Sequence, residues 1–186
     1  LKNNFIDNSY FRGIHLHGSG HTADNVAFVR NNLITRNKLD GIDIDSHSAR
    51  YLVEKNVVIG ADNRFVIWTE IEAHHNTIRN NVGIINLKQH SPVGAGGFQE
   101  NGTETNIGAQ GTRWNVWQDN NIFNAREEKQ GFLMRGLESG RVVQHENTTW
   151  LNNYVWQLNR SMGTSNPKLD GIVDDVMYLW INNDGE

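Results

Sequence analysis

An all-β solenoid, built of short parallel strands stacked coil upon coil, is the fold class that three observations on this sequence predict. First, a pattern of apolar, polar, polar, Asn, apolar recurs at Leu1–Phe5, Val29–Leu33, Val53–Val57 and Ile78–Val82, with spacings of 28, 24 and 25 residues. Self-similarity at such periods marks stacked units, each burying its apolar side against the next. Second, nine residues beyond Asn4, Asn32 and Asn56 stand Gly13, Gly41 and Phe65, each opening a strand-like segment. Third, the chain is 37% hydrophobic with 18 Gly and 2 Pro, which suits a turn-rich β protein better than a helical bundle. No unit carries the 3.6-residue apolar stripe of helical repeats or the ladder of a leucine-rich repeat.

Composition bounds the rest. The 186 residues suit one domain with a sizeable core. A formal net charge of −4 with no basic run argues against a nucleic-acid partner. No apolar run approaches the ~20 residues of a membrane span, so no membrane partner is expected. Cys is absent, which excludes disulfides and thiolate metal sites. No signal peptide opens the chain, and a secreted or periplasmic location implies one already removed.

In order along the chain, the three equivalent strands begin at Gly13, Gly41 and Phe65. Side chains alternate across a strand, so Ile14, Leu16, Ile42, Ile44, Val66 and Trp68 are expected inside. His15, His17, Asp43, Asp45, Ile67 and Thr69 are expected outside, with Glu70 and Glu72 just beyond. Adjacent coils lie ~4.8 Å apart, so the outward set forms one patch. After Asn81 a polar, Gly-rich excursion near 89–112 interrupts the coils and is expected to wall one side of that patch. Looser copies of the repeat follow at Trp117–Ile122 and Val143–Asn147, with a later strand at Gly131–Arg135 that turns Arg135 outward. The coils run to about residue 160, and 161–186 read as a C-terminal extension or cap. Both ends of the chain meet a repeat abruptly, so a longer chain or a covering partner is expected, and lateral association as a homotrimer stays open.

The Asn-terminated units resemble the right-handed parallel β-helix of pectate lyases and related sugar-processing proteins, in which Asn side chains stack at one corner and bond along the stack. About six coils, a right hand and an Asn ladder through Asn4, Asn32, Asn56 and Asn81 are what the resemblance implies. The stretch Gly41–Ser46 is similar to the first acidic motif of polygalacturonases, but its Asp residues follow the Gly instead of preceding it. The resemblance therefore extends to the superfamily, and no catalytic residue is transferred from it.

The patch itself points to sugar chemistry. Asp43, Asp45 and Glu70 would bring together carboxylates of the kind that glycoside cleavage uses as acid and base or nucleophile. His17 could transfer a proton, and His15 could bind a hydroxyl beside Thr69. Lys88 is the candidate base of an elimination, and Arg135 the anchor for an anionic sugar. Trp114 and Trp117 offer indole faces to sugar rings. No cofactor is expected, although calcium would suit the oxygen donors of Asp43, Asp45 and Glu70 better than a transition metal would. These residues predict an enzyme cleaving or rearranging glycosidic bonds of a polysaccharide, hydrolase-type chemistry ahead of lyase. The other reading is a non-catalytic carbohydrate-binding or structural β-helix, such as an adhesin or tailspike segment. On either reading Asp43 and Asp45 are expected to be solvated, so that neutralising them would leave the fold intact.

Overall fold

The computed structural model describes residues 1–18, 26–45, 47–61, 65–69, 73–85, 96–101, 112–124, 132–135, 137–138, 141–142, 147–157, 168–173 and 178–181. Every regular element among them is a β-strand. The strands fall into three parallel columns. One contains Phe5–Asp7, Leu33–Asn37, Val57–Ala61, Val82–Ile85, Asn121–Asn124 and the second half of Thr148–Gln157. The next contains Ile14–His17, Ile42–Asp45, Phe65–Thr69, Gly96–Asn101 and Phe132–Arg135. The third contains Ala27–Arg30, Tyr51–Glu54, Thr77–Arg79, Val116–Gln118 and the first half of Thr148–Gln157. The chain visits the columns in rotation and returns one strand farther along each time, an order compatible with a β-helix or another solenoid.

What holds the coils in register is an amide stack. Nδ2 of Asn4, Asn32, Asn56, Asn81 and Asn120 each donates to Oδ1 of the next, ending on Asn153, at 2.8–3.0 Å. The backbone N–H of each donates to the same oxygen at 3.0–3.1 Å. From Asn56 onward the second amide hydrogen reaches a carbonyl, that of Val29, Val53, Ile78 or Trp117. Five of the six rungs are buried, and an amide can be buried because its donors and acceptor are paired. The residue before each rung, Asn3, Asn31, Lys55, Asn80, Asp119 or Asn152, has φ between 51° and 59°. That left-handed conformation favours Asn and Asp, which is why the repeat so often reads Asn-Asn.

Two corrections concern this ladder. The described ladder runs past the four expected rungs through Asn120 to Asn153, within Trp150–Tyr154, and of the copy expected at Val143–Asn147 residues 143–146 lie outside the described residues. A second, shorter stack lies five residues upstream, where Asn76 Nδ2 donates to Asn115 Oδ1 at 3.1 Å. Inside the columns, Ile14, Ile34, Ile42, Ile44, Val53, Val58, Ile67, Ile78 and Ile122 form one apolar core. Gly13 and Gly41 sit where the corner presses on the next coil: a Cβ at Gly13 would meet the Gly41 carbonyl oxygen at 2.6 Å, and one at Gly41 the Val66 carbonyl oxygen at 2.5 Å.

The register of Phe65–Thr69 differs from the expected one. Ile42 pairs with Ile67, Asp43 with Trp68 and Ile44 with Thr69. The chain spends one more residue between Ala61 and Ile67 than between their partners Asn37 and Ile42, and a one-residue slip exchanges the two faces of a strand. Ile67 therefore joins the core, in which Val66 remains, and Thr69 falls in the column of Ile44, while Trp68 packs apart from it against Phe65, ring centroids 5.7 Å apart. The Gly-rich excursion is also revised, because Gly96–Asn101 within it is a strand paired with both Phe65–Thr69 and Phe132–Arg135. The rest of that stretch up to residue 111 lies outside the described residues. In the C-terminal region, Lys168–Val173 and Tyr178–Ile181 add antiparallel strands to Thr148–Gln157 and Phe132–Arg135.

Candidate functional site

The strands Ile14–His17 and Ile42–Asp45 pair so that His15 faces Asp43 and His17 faces Asp45 across adjacent coils. Ile42 and Ile44 are drawn into the core, which commits the intervening Asp residues to the other face. There His15 Nε2 lies 3.1 Å from Asp45 Oδ2 and 3.7 Å from Asp43 Oδ2. The His15 side chain is 37% exposed, Asp45 13% and Asp43 not at all. His17 is exposed, its ring 5.7 Å from that of His15.

Asp43 thus departs from the solvated carboxylate expected of it. Arg12, in the corner before Ile14, ion-pairs with Asp43 and lies 3.5 Å from Asp40. Asp40 is itself buried, and its Oδ1 accepts the Phe65 N–H at 3.1 Å. Buried carboxylates survive folding when a cation or backbone donors compensate them, and Arg12 does this for the pair. Sequence reasoning passed over Arg12 and Asp40, although both stand one residue before the glycine that opens a strand. Below Asp45, the Ser48 hydroxyl donates to the carbonyls of Leu16, at 3.0 Å, and of Asp45, tying the two strand ends together.

The remaining candidates scatter. Thr69 is fully buried in the column of Ile44, so it cannot meet a ligand on the His15 face. Trp117 is fully buried and stacks on Trp150, rings 4.8 Å apart and 2° from parallel. It is a core residue and offers no face to a sugar. Trp114 is 37% exposed, but its ring already touches His75, centroids 4.7 Å apart, and the Arg113 guanidinium at 5.0 Å. Arg135 lies at the end of Phe132–Arg135, three strands along the stack from Ile42–Asp45, a separation of about 14 Å at ~4.8 Å per strand. Glu70 and Lys88 lie outside the described residues.

The expected calcium set is also rearranged. Asp43 is enclosed and paired with Arg12, whereas His15, His17 and Asp45 bring one ligand atom each to within 4.8 Å of one another. Two imidazoles and one carboxylate suit a transition ion better than calcium. Without an ion, the contact between His15 Nε2 and Asp45 Oδ2 holds the imidazole in one orientation, a geometry suited to proton transfer. No family model, curated protein or solved structure matches the chain.

Proposed function

We propose that this chain is a right-handed parallel β-helix of about six coils that cleaves or rearranges glycosidic bonds of a polysaccharide, with His15 and Asp45 as the proton-transferring pair. The single observation that supports this reading is the exposed His15 imidazole held 3.1 Å from the mostly buried carboxylate of Asp45. With Nε2–H donated to Asp45, the ring presents Nδ1 as a base, and after protonation it becomes the acid for a leaving oxygen. His17 stands beside it on the same strand to bind or orient a hydroxyl. With Asp43 committed to Arg12, the acid–base work rests on the imidazole instead of on two open carboxylates. Arg135, on a strand farther along the same stack, would bind a distant acidic group of an extended chain.

Incubation with a polysaccharide panel, following reducing ends and the absorbance of unsaturated uronates, tests the proposal. Reducing ends without absorbance indicate hydrolysis, and both together indicate elimination. Loss of either signal in His15→Gln, with the fold retained, supports the assigned pair. One observation favours a binding-only reading: the ion pair with Arg12 leaves a single partly exposed carboxylate beside His15. No product from any substrate, together with retention of a polysaccharide on the protein, would move the assignment there.

A further inference from the structure

At the corner that precedes the third column of strands, successive coils stack a second group of titratable side chains. Isolated bridges join Ala49 to His74 and His74 to Arg113, so that Arg50, His75 and Trp114 form the next column. Those three residues have φ of 63°, 54° and 50°. His74 and His75 meet through their Nδ1 atoms at 2.8 Å, and His75 lies against Trp114, over which Arg113 places its guanidinium. The result is two permanent cations and two imidazoles on neighbouring coils. Like charges stacked across strands are unfavourable. Among the described residues, no carboxylate forms an ion pair with Arg50, His74, His75 or Arg113. The Arg113 Nε is buried and lacks a hydrogen-bond partner among the described residues, a deficit that normally costs stability unless a ligand or water relieves it.

We propose that this corner is an oxyanion-binding site, taking a sulfate, phosphate or carboxylate between Arg113, Arg50 and the His74–His75 pair. Planar guanidinium forks bind such groups bidentately, and a protonated imidazole adds a charge-assisted donor. The corner by itself disfavours that proton: burial and the charges of Arg113 and Arg50 lower the pKa of both histidines, with His75 and His47 adding to the effect on His74. An anion reverses the charge effect, so binding and protonation reinforce each other by linkage. The site stands on different residues from the proposed reaction and does not depend on it.

The test is sodium sulfate titrated at pH 6 and pH 8 against sodium chloride of equal ionic strength, reading the histidine resonances and the melting temperature. Sulfate is expected to raise the titration midpoints of His74 and His75 and to raise the melting temperature more at pH 6 than at pH 8. Sulfate also stabilises proteins generally by exclusion from their surface, so the increment is compared with that of Arg113→Gln and His75→Asn. Asn tolerates the left-handed backbone at position 75, which keeps that variant folded. Both variants are expected to lose the pH-dependent part of the increment. An increment equal in wild type and variants, or midpoints that sulfate leaves in place, would overturn the proposal. A response to glucuronate as large as that to sulfate identifies a sugar-borne carboxylate as the ligand, and a response to sulfate alone identifies a free or ester oxyanion.

Discussion

Arg12 and Asp43 belong to neighbouring coils, yet the guanidinium of the first closes on the carboxylate of the second, and the Asp43 side chain retains no exposed surface. The pair changes what neutralising Asp43 should do. Breaking a buried ion pair costs up to about 3–5 kcal/mol, and less here to the extent that Asp40, 3.5 Å from Arg12, still compensates the guanidinium. Asp43→Asn is therefore expected to melt well below wild type, contrary to the solvated strand face read from the alternation alone. Calorimetry checks this, and a variant as stable as wild type would show that Arg12 is satisfied elsewhere.

Asp45→Asn separates stability from chemistry. Asp45 is mostly buried but bonds the exposed His15 instead of a buried arginine, so its loss should cost about 1–3 kcal/mol. On a substrate identified by the polysaccharide panel, the same change should lower kcat by 10-fold or more, roughly 1.4 kcal/mol of barrier. Retained turnover would remove Asp45 from the proposed pair.

The Asn stack predicts a positional gradient. Asn81 donates to Asn120 Oδ1 and the Val53 carbonyl and accepts two bonds from Asn56, all in a buried setting. Asn4 is partly exposed and sits at the end of the described ladder. Asn81→Ala is expected to cost upwards of about 3 kcal/mol, because several buried polar groups lose partners at once, and Asn4→Ala about 1 kcal/mol. Denaturant unfolding of the two variants checks the order.

At position 55 the left-handed corner carries Lys, where four of the other five rungs are preceded by Asn and one by Asp. Lys55→Asn is expected to stabilise by up to about 1 kcal/mol and Lys55→Val to destabilise, since a branched Cβ resists positive φ. Identical midpoints for the two variants would count against the backbone argument.

The Asp7 carboxyl titrates at about 2, held low chiefly by its bonds from Arg36 and Thr35. A depressed carboxyl contributes stability above its unfolded value near 3.8, and that contribution is lost as pH falls through about 2. The His74–His75 pair has the same pH direction by the opposite chemistry. The folded state binds those protons more weakly than the unfolded chain, so stability should decline as pH drops below about 6.5. NMR titration of Asp7 reads the first effect, and Arg36→Gln is expected to return its midpoint toward 3.8.

The local repeat by itself determined the all-β stacking, four rungs of the Asn ladder and the inward course of Ile14, Ile42 and Ile44. Each follows from a pattern within a few residues and from the strict alternation of a strand. The His15–Asp45 neighbourhood was legible for the same reason, since nine residues separate the ladder from both strands. Tertiary structure alone decided the rest. One additional residue in the corner before Phe65–Thr69 shifted its register, bringing Ile67 and Thr69 into the columns of Ile42 and Ile44 and Trp68 into that of Asp43, and corner length carries no periodic signal. The enclosure of Asp43 depended on Arg12 reaching across coils, and the cationic corner on the segments of Ala49–Arg50, His74–His75 and Arg113–Trp114 stacking from 25 and 39 residues apart. Those contacts are set by how coils superpose, a relation between distant segments that no single repeat records.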